Sequence, residues 1–331
     1  MEQPDCIGNG RHWGLDLGRW VAALMVVAIH FGGVRAGHSL GDVASQLADA
    51  WVRMSVAYFF LLSGFFYRRV RTSGHWWRHV GRLMVMALSA TALYVVLRHF
   101  LFASHTALDV DTLRRWVVYN WSPGADHLWF LYALTYDLLL MYAAERWHLW
   151  RWLQVVAALS LAALLVLNFT PWSQMTRNWL FFGLPFTMLG SSLSEDSSLR
   201  RLTDKVGTRQ WWWLLAAGLG LVTAEMLVNS WWTSPGQPWR DCYVGTPLCA
   251  LSLFLLLLRA DTGRQPSRCV AWLAASGRND SAFIYLWHMA CGWMLATWLP
   301  QESSVASLLV NVPVVFAATL LLSIAVRKMK G

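Results

Sequence analysis

The chain has 331 residues, of which 56% are hydrophobic, 14% aromatic and only 14% charged, with a formal net charge of +9. A soluble domain carries about 25% charged residues, so this composition excludes an ordinary soluble enzyme and points to lipid as the main solvent. The basic residues fall in short runs between apolar stretches, which argues against nucleic acid as a partner.

Ten apolar stretches follow in chain order, at 15–34, 50–67, 80–103, 127–144, 149–169, 178–193, 211–230, 242–259, 281–299 and 304–326. Each is long enough, or nearly so, to cross a hydrocarbon core as a helix. The 23 tryptophans suit the interfaces where such spans end. The expected fold is therefore all-α: a polytopic membrane protein of about ten transmembrane helices, with residues 1–331 as a single integral-membrane domain. The first run follows a polar, weakly basic start with no small-residue cleavage site after it, so it is expected to be a retained span. Turns are marked at Ser122-Pro123-Gly124 and Ser234-Pro235-Gly236, and Pro300-Gln301-Glu302 makes a tight join between the last two spans. Cys6, Cys242, Cys249, Cys269 and Cys291 show no CxxC spacing, so neither a disulfide framework nor a metal site is expected.

Lysine and arginine are retained on the cytoplasmic side. With a cytoplasmic N-terminus, the inner segments hold 20 of the 27 basic residues, from Arg11 and Arg19 through Arg264 and Arg278 to Lys330. Both termini are therefore expected in the cytoplasm.

The first span carries Arg19 and His30, with ten residues between them. On a helix, eleven steps of 100° return to within about 20° of the starting direction and rise about 16 Å. The two side chains thus share a face, Arg19 toward the cytoplasm and His30 toward the outer half. Arginine binds anionic oxygens bidentately, and histidine takes a proton near neutral pH. A long, phosphate-bearing acyl carrier spans that distance. Spacing alone favours the plainer reading, a snorkelling arginine and an interfacial histidine.

The segments LDLGRWVAALMVVAIHF (15–31), VAYFFLLSGFFYRR (56–69), RHVGRL (78–83), HLWFLYAL (127–134) and SAFIYLWH (281–288) together resemble, in order and spacing, the acyltransferase-3 family of integral membrane acyltransferases. Its mark is Arg or Lys, ten residues, then His. The sequence departs in detail, since Gly18 precedes Arg19 instead of following it and three residues separate Arg78 from Arg82. The resemblance implies that His30 is the essential base or a transient acyl acceptor. It also implies that Arg19, with Arg78 and Arg82, holds the donor. That donor is an acyl-CoA, most simply acetyl-CoA, used as a substrate with no bound cofactor. The acceptor that the resemblance implies is a hydroxyl of an extracytoplasmic glycan, and the location it implies is the bacterial inner membrane. Asp16, three residues before Arg19, either orients it across one helical turn on the donor side or is an ordinary acidic residue at a helix start.

The remaining polar residues have two readings each. His127, beside Trp129, supports the acceptor side or is an interfacial histidine. Arg68 and Arg69 contact the donor or only fix topology. His288 is placed about 10 Å into its span by helical rise, at a different depth from His30. It is expected, with Tyr285, to contact the carrier or a neighbouring helix. Ser63-Gly64 lacks a G-x-S-x-G elbow and reads as close helix packing. Glu225, inside the seventh span, has no assigned role. His75 and His79 lack the further histidines a di-iron box requires, and haem ligation by His30 and His288 is disfavoured by their expected depths. The rival function is a transporter or flippase for a sugar or lipid-linked substrate, with Arg19, His30 and Glu225 along a pathway.

Overall fold

The structure is a computed structural model and describes residues 12–33, 39–103, 109–194, 197–232, 240–261, 265–300, 305 and 307–330. Arg11, Arg264, Cys6, the Ser234-Pro235-Gly236 turn and Gln301-Glu302 lie outside the described residues. The described chain is all-α, with no strand among its residues. In order come α1 (Trp13–Phe31), α2 (Leu40–Val52), α3 (Met54–Phe65), α4 (Tyr67–Thr72), α5 (Trp76–Phe102) and α6 (Val110–Tyr119). Then follow α7 (Trp129–Arg146), α8 (Trp150–Leu167), α9 (Leu184–Ser192), α10 (Ser198–Lys205), α11 (Thr208–Trp232), α12 (Thr246–Ala260), α13 (Arg268–Leu295) and α14 (Val312–Lys330). A π-helical turn leads into α9 at Trp179–Gly183 and another into α14 at Ser307–Asn311.

Six stretches are long and apolar enough to cross a bilayer: Trp13–Phe31, Leu40–Thr72, Trp76–Phe102, Trp150–Leu167, Thr208–Asn229 and Ser307–Met329. The other four expected spans coincide with α7, the π-turn plus α9, α12 and α13. These are shorter or carry more polar residues, so length and apolarity by themselves do not make them membrane-crossing. Their polarity is used inside the bundle. Asp137 on α7 receives the Thr187 hydroxyl of α9 at 3.3 Å, and Asp280 on α13 receives Ser276 and, from α14, Ser323 at 3.0 and 2.9 Å.

The ninth expected span is the one placed furthest from its helix. Its apolar stretch starts at residue 281, but α13 starts at Arg268, capped by the Ser267 hydroxyl that accepts from the Val270 amide. The intervening turns contain Ser276, Arg278, Asn279 and Asp280, which break the apolar pattern. They are helical because neighbouring helices supply partners for Asp280 and Arg278.

α1 packs along α13, α3 against α9, and α11 against α12. Two glycines make the α3–α9 crossing close. A Cβ on Gly64 would meet the Thr187 carbonyl, and one on Gly190 would meet the Leu61 carbonyl, so α3 and α9 touch backbone to backbone. Ser63 meanwhile turns its hydroxyl onto the Phe59 carbonyl at 2.8 Å. Packing by small residues is thus the observed role of Ser63-Gly64.

Candidate functional site

At the His30 end of α1 the bundle encloses a cavity of about 890 Å³. Val26, Ile29 and His30 reach it from one face of α1, one helical turn apart, and His30 is exposed to it. His127 and Trp129 enter from the start of α7, and Tyr285 and Trp293 from α13. The lining also carries Arg53, Arg98, Arg177 and Arg240 together with Asp49, Asp126 and Asp241.

Most of these charges are already paired. Arg53 grips Asp49 with two bonds of 3.1 Å, one helical turn away on α2, and donates to Asp241 at 2.8 Å. Arg177 lies 3.9 Å from Asp126 and 4.0 Å from Asp241, over the ring of Trp121. Arg240 donates to Glu225 at 2.9 Å and to Asn229 at 2.8 Å, and its guanidinium covers the Phe169 ring. Glu225 also accepts from the Val244 amide, so the carboxylate left without a role by the sequence is the anchor of Arg240. Both side chains are about nine-tenths buried, at 10% and 9% exposure. Replacing Glu225 by leucine is expected to destabilise the fold by about 3–5 kcal/mol, because it strands a buried cation. Glu225→Gln keeps an oxygen for Arg240 and should cost less; melting temperatures in detergent compare the two.

Three imidazoles meet at the inner wall of the cavity. The ring centroids of His30 and His288 are 5.1 Å apart, those of His127 and His288 4.9 Å, and those of His30 and His127 6.0 Å. The expectation that His288 lies at another depth from His30 is therefore wrong. It rested on counting helical rise from residue 281, and α13 begins thirteen residues earlier, which moves His288 up to the level of His30. Rings in contact also leave no gap for a haem, so that ligation stays disfavoured, though for a different reason. Among the described residues no three His, Cys, Asp or Glu side chains are grouped as metal ligands would be.

His288 is fully buried and does not line the cavity. Its Nδ1 lies 3.0 Å from the Ile284 carbonyl and 2.8 Å from the Tyr285 carbonyl. Carbonyls only accept, so Nδ1 carries the proton and Nε2 is left as an acceptor. Tyr94 of α5 reinforces this part of α13. Its hydroxyl donates to the Leu286 carbonyl at 2.6 Å and accepts from the Ala290 amide at 3.2 Å, inserting into one rung of the helical ladder. Tyr285 donates its hydroxyl to the His127 carbonyl.

The other end of α1 holds Arg19. It donates to Asp16 at 2.8 Å, as the three-residue spacing suggests, and lies 5.6 Å from the Phe66 ring centroid. Asp16 also accepts from Arg278 of α13 at 3.3 Å, so one carboxylate orients two guanidiniums. Arg19 is not among the cavity-lining residues. Arg78 and Arg82 are exposed on α5, and Arg68 and Arg69 on α4. Among the described residues Arg78 and Arg82 have no hydrogen bond or ion pair with Arg19 or Asp16. Arg278, in the sequence only one of the basic residues that set topology, is the one the fold brings onto the carboxylate that holds Arg19. The five cavity groups Asp49, Arg53, Arg177, Arg240 and Asp241 were also missed as site residues. One faint signal was available, the Asp49–Arg53 spacing of four on a short polar helix.

A family model described as an acyltransferase domain, that of the acyltransferase-3 family, matches residues 12–328. The chain belongs to that family. It is a multi-pass membrane acyltransferase by that membership and by its apolar helices. No curated protein and no solved structure matches it.

Proposed function

We propose that this member of the acyltransferase-3 family moves an acyl group, most simply acetyl, from a cytoplasmic acyl-CoA to a hydroxyl of a surface or exported glycan. It does so as one integral domain of residues 1–331 in a bacterial inner membrane. The proposed topology has about ten spans with both termini in the cytoplasm, as the distribution of basic residues favours. The single observation that carries the reading is the exposure of His30 into a cavity of about 890 Å³. Aromatic faces such as Trp121, Trp129 and Trp293 alternate there with paired Arg and Asp groups, a lining suited to a polyhydroxyl acceptor.

In this reading Arg19 and Arg278, held by Asp16, neutralise the donor phosphates. The pantetheine arm runs along the shared face of α1 and brings the thioester to His30. His30 accepts the proton of the attacking hydroxyl as the C–O bond forms, and the thiolate leaves with a proton. His127 and Trp129 lie on the acceptor side. Arg68, Arg69, Arg78 and Arg82 are exposed cations that extend the basic surface toward the carrier.

The test compares cells carrying wild type, Arg19→Ala, Arg278→Ala and an empty vector at matched membrane levels, with ester-linked acyl groups on isolated glycans quantified by mass spectrometry. Esters that require the protein support the reading. In membrane vesicles with acetyl-CoA on the cytoplasmic face, each arginine variant should raise the donor KM about tenfold, the worth of one charge-assisted hydrogen bond, and recover with excess donor. Unchanged esters in every strain would overturn acyl transfer and favour the transporter.

A further inference from the structure

Of the two expectations for His288, the carrier or a neighbouring helix, the geometry favours the second, with its ring centred 5.1 Å from that of His30 on α1. Its imidazole is fully buried, with Nδ1–H committed to the Ile284 and Tyr285 carbonyls. Nε2 is enclosed and has no hydrogen-bond partner. A buried acceptor without a donor costs about 1–3 kcal/mol, so a lone pair kept there needs a use. Among the described residues three polar rings lie around this imidazole, with centroids at 4.9 Å for His127, 5.1 Å for His30 and 6.4 Å for Tyr285, and the Tyr285 hydroxyl is already committed to the His127 carbonyl. His127 is hemmed in by Tyr94 at 5.1 Å and Tyr285 at 5.6 Å, and is itself buried. His30 is exposed to the cavity and has no hydrogen bond among the described residues, so its ring is free to turn.

We infer that His288 is a positioning residue for His30: its Nε2 accepts the ring N–H of His30, which aims the other ring nitrogen of His30 into the cavity. The inference rests on acyl transfer at His30 being the function. During the reaction the acceptor oxygen bonds to the thioester carbonyl carbon while its proton passes to His30. The C–S bond then breaks, and the thiolate takes that proton from His30. His288 neither gains nor loses a proton. It fixes one tautomer of His30 and stabilises the transient imidazolium, as hydrogen-bonded partners do for other working histidines. Three features hold His288 in place. Two are the carbonyls above, and the third is the Tyr94 hydroxyl set into the adjacent rung of α13.

The experiment uses the full-length protein in lipid nanodiscs, as wild type, His288→Leu and His288→Gln. Glutamine keeps an acceptor near the Nε2 position, and leucine does not. Two readouts are taken. The first is acyl transfer, with kcat and both KM values. The second is the rate at which diethyl pyrocarbonate modifies His30, followed by peptide mass spectrometry. Leucine is expected to lower kcat by about 10–100-fold, typical for loss of a supporting partner, with KM values unchanged. It should also slow His30 modification, and glutamine should restore both. Matched melting temperatures exclude simple unfolding, and if the leucine variant fails to fold, the glutamine variant against wild type still reads the acceptor role. A leucine variant with wild-type kcat and wild-type His30 reactivity overturns the inference. So does an equal loss in both variants, or a change in reactivity at His127 alone. The modification rate needs no acyl donor. If wild type forms no ester, the functional reading fails while the His30–His288 pairing is still decided.

Discussion

Replacing His30 by alanine is expected to lower acyl transfer by about 10²–10⁴-fold, the usual worth of a positioned general base. The loss should fall on kcat, because a proton acceptor acts mainly in the transition state. Folding should be only modestly affected. The side chain faces the cavity and has no hydrogen bond among the described residues, so its removal opens no void in a packed core. The cost falls at His288, whose buried Nε2 loses the donor that His30 offers, about 1–3 kcal/mol at most. Ester-linked acyl groups on isolated glycans, normalised to membrane protein, give the measurement. Wild-type ester levels with His30→Ala would exclude catalysis at this residue.

Gly277→Ala is expected to do the reverse and damage the fold. A Cβ at Gly277 would collide with the Asp16 carbonyl oxygen, and would lie 2.8 Å from the Trp20 amide nitrogen and 3.1 Å from the Asp16 carbonyl carbon. All three are backbone atoms of α1, which cannot swing aside as a side chain can. The helices must separate, at a cost of about 1–3 kcal/mol or more for overpacking. The same crossing sets Asp16 against Arg278 and His30 against His288, so activity should fall beyond what the loss of folded protein explains. Gly81 and Gly220 have nothing within 4 Å of an added Cβ. Alanine at either is expected to be neutral or to add up to about 1 kcal/mol through helix propensity. Thermal melts in detergent and transfer activity of the three variants check this. An unchanged melting temperature for Gly277→Ala would mean that α1 and α13 are less closely packed than described.

These two outcomes separate two kinds of residue on the same helix pair. His30 is exposed so that a substrate can reach it, and little of the fold depends on it. Gly277 is small so that backbones can meet, and the placement of several working side chains depends on it. Arg278 and Asp16 lie between the two kinds, since their ion pair joins α1 to α13 and also presents the guanidiniums.

The sequence by itself determined that the chain is helical and lipid-embedded, and where most of its helices run. Apolarity over about twenty residues is a local property, and a backbone in hydrocarbon must satisfy its hydrogen bonds within the helix. The Arg19–His30 spacing and the Asp16–Arg19 pair were legible for the same reason, because one helix fixes the geometry of residues a few turns apart. Tertiary structure alone decided what lies across a helix interface. The polar start of α13 reads as a loop until Asp16, Ser323 and Arg327 supply its partners. That hidden extension carries His288 to His30. Likewise, Glu225 looked anomalous because its cation, Arg240, is fifteen residues away in the chain and beyond the end of its helix. Polar residues inside a membrane protein are paid for by distant partners, and no local pattern records which partners those are.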